Sequence, residues 1–187
     1  LQKIPALICL DRAGFADGDG PTHHGLFDVA LTLQLPGVSV YSPATYAEQE
    51  RILRECVREF DCVNVVRYPK GSEKARVTEC FACKEDLELY QTAPDMRVLF
   101  LSYGRITDEA LGAAQILREK GIGAAVCKIT RLKPFDPQAL AEMLCAKGKF
   151  ELAVFVEEGI RHGGFFEDLL SRICTNEAPG FANGYEL

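Results

Sequence analysis

The sequence predicts an α/β protein in which two parallel sheets are covered by helices. Short apolar runs alternate with amphipathic segments along most of the 187 residues, which is the pattern of strand–helix–strand units. The apolar runs are mostly continuous rather than alternating, as expected of strands buried on both faces of a sheet. One charged stretch without clear periodicity, residues 73–95, interrupts this pattern. We therefore expect two domains, 1–72 and 96–187, joined by a linker.

The first domain is expected to hold three strands and one long helix. The strands are predicted at 4–10, Val38–Tyr41 and 62–68. Ser42 and Pro43 are residue types favoured at the N-cap and at the first position of a helix, so the helix is predicted to begin there. It is expected to end near Glu59. Within the linker, a short strand is expected near 76–81.

The second domain is expected to be a βαβαβα unit with helices on both faces of its sheet. The predicted strands are Val98–Ser102, 124–130 and Leu152–Val156. The predicted helices are 107–120, 137–146 and Phe165–Cys174. Asp136 is the expected N-cap of the middle helix because its carboxylate can accept a hydrogen bond from the first turn. Gly121 is expected to end the helix before it, since glycine adopts the left-handed conformation that closes many helices.

Composition excludes several classes of function. The formal net charge is −6 and no basic tract is present, so nucleic acid is not an expected partner. No apolar run approaches the ~20 residues that span a membrane, and no secretory signal is present. We therefore expect a cytoplasmic protein with no membrane partner. Because the chain begins with Leu1 almost directly on a predicted strand, we expect it to be part of a longer protein.

The eight cysteines are scattered through the sequence. Cys9 and Cys127 lie in apolar strand patterns, which is typical of buried thiols in a reducing compartment rather than of a disulfide framework. Cys80 and Cys83 form a CxxC pair, but no second pair follows at zinc spacing and no thioredoxin-like βαβ unit comes after it. This pair is therefore expected to be two ordinary thiols.

A loop rich in titratable residues and glycines follows the first predicted strand. It contains Arg12, Asp17, Asp19 and the adjacent His23 and His24. In α/β proteins, ligands bind where loops leave the carboxyl ends of the strands. An ordinary connecting loop rarely needs two histidines and an arginine, so this loop is the predicted ligand site.

Three motifs of this chain resemble one enzyme family, in the order expected for it. The runs DRAG at 11–14 and DGPTHHGLFD at 19–28 resemble the pyrimidine-domain signature of the 1-deoxy-D-xylulose-5-phosphate synthases, which belong to the transketolase family. The run VRYPKG at 66–71 resembles the family's Arg-Tyr-Pro-Arg-Gly stretch, with a lysine in place of the second arginine. The runs VEEG at 156–159 and GGF at 163–165 resemble its C-terminal-domain signature, which is shared across related thiamine enzymes.

The resemblance implies a thiamine diphosphate-dependent transferase. Enzymes of this family join pyruvate to glyceraldehyde 3-phosphate, release carbon dioxide and form 1-deoxy-D-xylulose 5-phosphate for the biosynthesis of isoprenoid precursors, thiamine and pyridoxal. Their fold has a diphosphate-binding domain, a pyrimidine-binding domain and a C-terminal domain. By resemblance, this chain holds a partial pyrimidine-binding α/β layer followed by a transketolase C-terminal-like domain, and the missing N-terminal domains are its expected partners.

The resemblance also places the contacts for thiamine diphosphate and Mg²⁺ upstream of this chain, so no cofactor-binding or metal-binding residue is expected here. The run Gly18-Asp19-Gly20 looks like the magnesium signature of thiamine enzymes. That signature needs an asparagine further along the chain, and positions 43–50 contain none. The isolated chain is therefore expected to be inactive, and the complete enzyme to be a homodimer.

The resemblance assigns roles to individual residues. Arg12 and Arg67 would bind the phosphate of the aldehyde, because a guanidinium fork donates two charge-assisted hydrogen bonds to a phosphate. Asp19 and His23 would contact the hydroxyl or carbonyl group of the substrate and manage its protons, since a histidine titrates near neutral pH and a carboxylate can orient it. His24 would support His23 or pack beneath the cofactor. Glu157 and its neighbour Glu158 would line a contact between subunits or domains.

Other interpretations stay open. The two arginines could form structural salt bridges, and the acids and histidines of the loop could ligate Zn²⁺ or Mn²⁺, although metal sites usually recruit a ligand from a distant segment. The parent protein could be another transketolase-like enzyme, either a transketolase or the β-type subunit of a dehydrogenase. The chain could also be a non-catalytic module for dimerisation or ligand sensing.

Overall fold

The computed structural model describes residues 4–146 and 150–174, which form two four-stranded sheets and their covering helices. The strands are β1 (Ala6–Leu10), β2 (Val38–Tyr41), β3 (Val63–Arg67), β4 (Leu87–Gln91), β5 (Val98–Ser102), β6 (Ala124–Ile129), β7 (Arg131–Lys133) and β8 (Leu152–Val156). The helices are α1 (Asp28–Leu33), α2 (Tyr46–Arg58), α3 (Ala75–Cys80), α4 (Thr107–Glu119), α5 (Pro137–Cys145) and α6 (Phe165–Cys174). The predicted α/β class is confirmed.

The first sheet has the strand order β1-β3-β2-β7. Strands β1, β3 and β2 are parallel, and Leu10 at the end of β1 lies opposite Arg67 at the end of β3. The loops that leave these two strands therefore start side by side at one edge of the sheet, which is where α/β sheets bind ligands. Strand β7, which was not predicted, comes from the second half of the chain and pairs antiparallel with β2.

The second sheet has the strand order β4-β6-β5-β8. Strands β5, β6 and β8 are parallel, as the sequence predicts, whereas β4 is an antiparallel edge strand. All six residues of β6 are buried, because it lies in the middle of the sheet with neighbours on both sides. Asp136 caps α5 as expected, with its carboxylate accepting the backbone N–H of Gln138 at 2.9 Å.

One hydrophobic core joins the two sheets. Val29 of α1 and Val40 of β2 belong to the same buried cluster as Leu99 of β5, Leu132 of β7 and Leu140 of α5. A contiguous cluster of this kind marks a shared core rather than a flexible contact between domains. The two halves of the chain therefore hold each other in a fixed arrangement, and a site can be built from both.

The long helix of the first domain begins later than predicted. Thr45 is its N-cap, with the Thr45 hydroxyl accepting the backbone N–H of Glu48 at 3.2 Å. Ser42 and Pro43 precede the helix instead of starting it. Ser42 is buried at the end of β2, where its backbone N–H donates to the carbonyl of Thr130 at 2.8 Å. The Ser42 hydroxyl accepts a hydrogen bond from Arg67 Nη1 at 3.2 Å, so this side chain serves a tertiary contact rather than a helix cap.

The expected linker carries ordered structure. Residues 76–81, predicted to include a short strand, lie mostly in α3, and β4 belongs to the second sheet. Charged residues without clear periodicity hid both elements, because an edge strand and a short surface helix each bury only one side. The limits proposed for the two domains, 1–72 and 96–187, stay a prediction. No helix in the described part of the chain has the length and apolar character needed to cross a membrane.

Strand β1 is less buried than its apolar sequence predicts. Ile8 is 43% exposed and Cys9 is exposed as well, so the expectation of a buried Cys9 is wrong. Position in the sheet explains the difference, because β1 is an edge strand here and pairs only with β3 among the described strands. Cys127 in the central β6 is buried as predicted, and burial raises the pKa of its thiol to about 12.

Candidate functional site

The loop of residues 11–25, called here the 11–25 loop, folds over the carboxyl ends of β1 and β3. It closes on itself through Gly25, which donates its N–H to the carbonyl of Arg12 at 3.0 Å and accepts the N–H of Gly14 at 3.1 Å. It is also tied to the segment after β3, since the N–H of Ala13 donates to the carbonyl of Tyr68 at 3.0 Å. A side chain at Gly25 would lie 2.6 Å from the Arg12 carbonyl, so only glycine allows this closure.

Opposite charges meet at the mouth of the 11–25 loop. Arg12 Nε donates to Asp19 at 2.7 Å, and Lys70 Nζ reaches the other oxygen of the same carboxylate at 2.5 Å. Arg12 also pairs with its neighbour Asp11. The Arg12 side chain is 37% exposed and that of Lys70 is 46% exposed, so both cations remain accessible to an anion. The structure therefore joins Arg12, Asp19 and Lys70 in one ion-paired group, which matches the alternative that Arg12 forms a salt bridge, and the substrate roles of Arg12 and Asp19 stay predictions.

Asp19 is expected to titrate far below its usual range. The hydrogen bond from Lys70, followed by that from Arg12, lowers the pKa of the Asp19 carboxyl to about 2. A depressed folded-state pKa means that this ion pairing is complete above pH 4 and is lost as the pH falls toward 2. Carboxyl ¹³C NMR should show this titration, and Lys70→Met should move the pKa of Asp19 up. Lys120→Met, which removes an exposed lysine elsewhere, is the control. An unshifted Asp19 in the unmodified chain would contradict the pairing.

Arg67 lies deeper than the sequence predicts, and its donors are mostly engaged. Its side chain is 3% exposed and forms a fork with Asp28, with Nε–Oδ2 and Nη2–Oδ1 distances of 3.0 and 3.1 Å. It also donates to the Ser42 hydroxyl and to the Gly25 carbonyl, both at 3.2 Å. The guanidinium stands 5.6 Å from the ring centroid of Tyr103. Through Gly25, Arg67 supports the 11–25 loop from below, and it does not stand beside Arg12 as a second accessible cation.

The two histidines have different surroundings. His23 is exposed at the end of a 3₁₀ turn, and its Nδ1 lies 3.0 Å from the hydroxyl of Thr22. Within the described residues it makes no hydrogen bond with Asp19, so the predicted pair is not joined directly. His24 is half-buried, accepts the backbone N–H of Ala16 on Nδ1 at 3.0 Å, and packs edge-to-face on Phe15. His24 therefore contacts the backbone and a side chain of the 11–25 loop, and its predicted support of His23 stays a prediction.

The second domain contributes two acidic residues to the underside of this site. Glu157 accepts the hydroxyl of Tyr103 at 2.8 Å, and burial raises the pKa of the Glu157 carboxyl. Glu158 lies 3.3 Å from Arg105 and faces the 11–25 loop. The expectation that this pair lines a contact between domains agrees with these positions. Sequence analysis missed Arg105 and Tyr103, which lie between a strand and a helix and belong to no quoted motif.

The described residues offer no fitting place for Mg²⁺. Among the described residues, one group of carboxylate and thiol side chains lies close enough together to share a metal ion. It consists of Glu48, Cys83 and Glu88. Lys128 pairs with both glutamates, and the ammonium group already supplies the positive charge a metal would bring. The acids and histidines of the 11–25 loop do not form a metal-binding group, since Asp19 is held by Arg12 and Lys70. The expectation that Mg²⁺ is held outside this chain stays a prediction.

Comparison with curated proteins and solved structures identifies relatives. A 1-deoxy-D-xylulose-5-phosphate synthase of Gloeobacter violaceus is 34% identical over 92% of this chain and 27% of its own length. One of a Picosynechococcus species is 36% identical over 88% of this chain and 26% of its own length. The chain thus spans about a quarter of these relatives. A solved structure described as "Split gene transketolase, inactive beta4 tetramer" superposes with a TM-score of 0.72 and 25% identity, over 91% of this chain and 53% of that one.

Two family models match consecutive parts of the sequence. The pyrimidine-binding domain of transketolase matches residues 1–74, and the C-terminal domain of transketolase matches residues 89–180. The first match contains the 11–25 loop with β1 and β3, and the second contains most of the second sheet. Since both parts correspond to successive domains of one family, this chain belongs to the transketolase family.

Proposed function

We propose that this chain supplies the substrate-binding part of a cytoplasmic, thiamine diphosphate-dependent transferase that joins pyruvate to glyceraldehyde 3-phosphate. Carbon dioxide leaves, and the product is 1-deoxy-D-xylulose 5-phosphate. The names of the relatives and the DRAG and DGPTHHG motifs support this reaction over that of a transketolase. Membership of the transketolase family implies dependence on thiamine diphosphate. The reaction is proposed for the whole protein, since the chain spans about a quarter of these relatives.

The observation that carries the proposal is the accessible pair of cations on either side of Asp19. Arg12 and Lys70 come from the ends of two neighbouring strands and converge on one carboxylate. A phosphate also offers pairs of oxygens to such donors, with more negative charge, so it can replace or join Asp19 between them. Holding the aldehyde by its remote phosphate converts binding energy into orientation of its carbonyl carbon.

Asp19 and His23 are proposed to act on the non-phosphate end of the substrate. His23 is exposed in the same 11–25 loop as Arg12 and Asp19, and an imidazole can accept or donate a proton near neutral pH. Asp19 can contact a substrate hydroxyl once a phosphate engages Arg12 and Lys70. The phosphate-binding role of Arg67 stays a prediction, and its buried fork with Asp28 favours a supporting role instead.

The cofactor is proposed to be held mainly by polypeptide outside this chain, together with Mg²⁺. When bound, thiamine diphosphate supplies the carbanion chemistry. The role left to this chain is to bind the phosphate, orient the aldehyde and hold protons at His23. The isolated chain is accordingly proposed to be inactive, and the complete enzyme to be a homodimer.

The phosphate-binding step can be tested on the chain itself. Titration with D-glyceraldehyde 3-phosphate, followed by ¹H–¹⁵N NMR, should shift the amides of the 11–25 loop. Arg12→Ala should raise the Kd about tenfold or more, because charge-assisted hydrogen bonds are lost. Arg58→Ala is the matched control, since Arg58 is an exposed arginine paired with Glu59 on α2. An absence of shifts in the loop, or an equal loss of affinity in the control, would contradict phosphate binding.

A second candidate is a non-catalytic module for assembly or ligand sensing. The similar solved structure is described as an inactive tetramer of a split-gene transketolase subunit, so a chain of related fold has been observed assembled without activity. The same titration separates the two candidates when it is combined with sedimentation. Self-association without binding of the phosphorylated aldehyde would favour the assembly module.

A further inference from the structure

Two side chains of the second domain contact the backbone of one residue in the 11–25 loop. Arg105 Nη2 donates to the carbonyl of Phe15 at 2.9 Å, and the N–H of Phe15 points to Glu158 Oε1 at 3.4 Å. Arg105 and Glu158 also pair with each other at 3.3 Å, with side chains 24% and 11% exposed. Both polar groups of this peptide residue are therefore held by a partly buried ion pair from another domain.

The backbone beside Phe15 is shaped to receive this ion pair. Gly14 has φ +75°, and a side chain there would lie 2.5 Å from Glu158 Oε2. Glycine at this position therefore serves two needs, since it allows the left-handed conformation and lets the carboxylate approach the backbone. A salt bridge that merely joined two domains would need neither this approach nor bonds to both the N–H and the C=O of one loop residue.

Arg12 lies three residues before Phe15, in a conformation that the loop must enforce. Its φ of 59° is in the left-handed region, which costs free energy for a residue with a side chain. The hydrogen bond from Gly25 to the Arg12 carbonyl fixes one side of this residue. The contacts at Phe15 fix the segment that follows it, so they help to set the direction of the Arg12 side chain.

We propose that Arg105 and Glu158 form a clamp through which the C-terminal domain positions Arg12 for the substrate phosphate. The two are positioning residues, because they touch the loop backbone and not the substrate. This inference rests on the proposed function, and it gives the C-terminal domain a part in substrate affinity.

Hydrogen exchange tests the clamp without any ligand. Arg105→Met should speed the exchange of the Phe15 and Ala16 amides about tenfold, the effect of roughly one lost hydrogen bond. Exchange in β6 should stay unchanged, which separates local loosening of the loop from global destabilisation. Glu158→Gln keeps an acceptor for the Phe15 N–H and should have a smaller effect, and it also serves if Arg105→Met does not fold. Arg97→Met, which breaks the exposed pair with Glu151, is the matched control.

Affinity for D-glyceraldehyde 3-phosphate gives the second measurement. Arg105→Met should raise the Kd about fivefold to tenfold, and Arg97→Met should leave it unchanged. If Arg12→Ala weakens binding but Arg105→Met does not, the clamp is overturned while the proposed function stands. If the unmodified chain binds no phosphorylated aldehyde, the proposed function fails, and hydrogen exchange still decides whether the clamp orders the loop. Unchanged exchange at Phe15 in both clamp variants would overturn the inference.

Discussion

Lys128→Met is expected to lower the free energy of unfolding by about 3–5 kcal/mol, because it leaves buried carboxylates without their cation. Lys128 lies near the carboxyl end of β6, is 0% exposed, and pairs with Glu48 of α2 and, at 2.9 Å, with Glu88 of β4. Burial alone would lower the pKa of the Lys128 ammonium, but the two carboxylates outweigh burial and raise it. The lysine is therefore charged in the folded protein at neutral pH.

Removal of the cation is costly because the remaining partners cannot move into water. Glu48 is fully buried, and its carboxylate also accepts the Thr130 hydroxyl and the Ala44 N–H, each at 2.8 Å. These bonds fix the carboxylate in place, so it cannot relax away when the ammonium is lost. Glu48 lies on α2 in the first half of the chain, and Lys128 lies on β6 in the second half. The same change therefore also weakens the contact between the two halves.

Urea unfolding should be used to compare the free energies of unfolding of Lys128→Met and Arg97→Met. Arg97 forms an exposed pair with Glu151, and loss of such a pair should lower the free energy of unfolding far less than loss of a buried cation. The double variant Lys128→Met, Glu48→Gln should recover part of the loss, because an amide carries no charge. Equal stabilities of the two methionine variants would show that the buried network does not support the fold.

Arg67→Met is expected to cost a similar amount, about 3–5 kcal/mol, because it breaks a buried fork with Asp28. Asp28 would keep its charge near the start of α1 with little access to water. Arg67→Lys should recover only part of the stability, since an ammonium cannot reproduce the two parallel bonds of a guanidinium. The Ser42 and Gly25 contacts would also be lost or weakened.

Arg12→Met is the matched control for this second prediction. Arg12 is more than a third exposed, so the same substitution there should change the free energy of unfolding far less than Arg67→Met does. Its expected effect is instead on affinity for the phosphorylated aldehyde. If urea unfolding shows Arg67→Met to be as stable as Arg12→Met, then Arg67 is not a structural residue, and its predicted role as a phosphate ligand would regain support.

Much of the second domain could be predicted from sequence because β5, β6 and β8 are mainly apolar runs and its helices are amphipathic. β5, β8 and α6 have the bounds that the apolar pattern indicates. β4 and β7 could not be found in this way, since β4 carries a glutamate within its run and β7 has only three residues, two of them basic. The start of α2 was placed too early because Ser42 has the residue type of a cap but a tertiary partner.

The candidate site could likewise be predicted from sequence only in part. The position of Arg12 and Asp19 in one loop follows from the sequence, and their contact agrees with the motif that contains them. The burial of Arg67 does not follow from the sequence. A charged residue at a strand end gives no sign of whether a buried acidic partner such as Asp28 lies next to it. Lys128 gave one usable signal, a lysine inside an otherwise apolar strand, which indicates a buried partner.

The pairing of β7 with β2 bears on how such a protein can be rearranged over evolutionary time. The sequence predicts a domain boundary within residues 73–95, because that stretch is charged and lacks clear periodicity. Recombination at this boundary would exchange the downstream segment alone. It would then also replace β7, the edge strand of the first sheet, together with the Leu132 side chain in the shared core. Each half therefore needs the other to complete its sheet and core. Functional variants are expected to arise by substitution within the two halves more readily than by recombination between them.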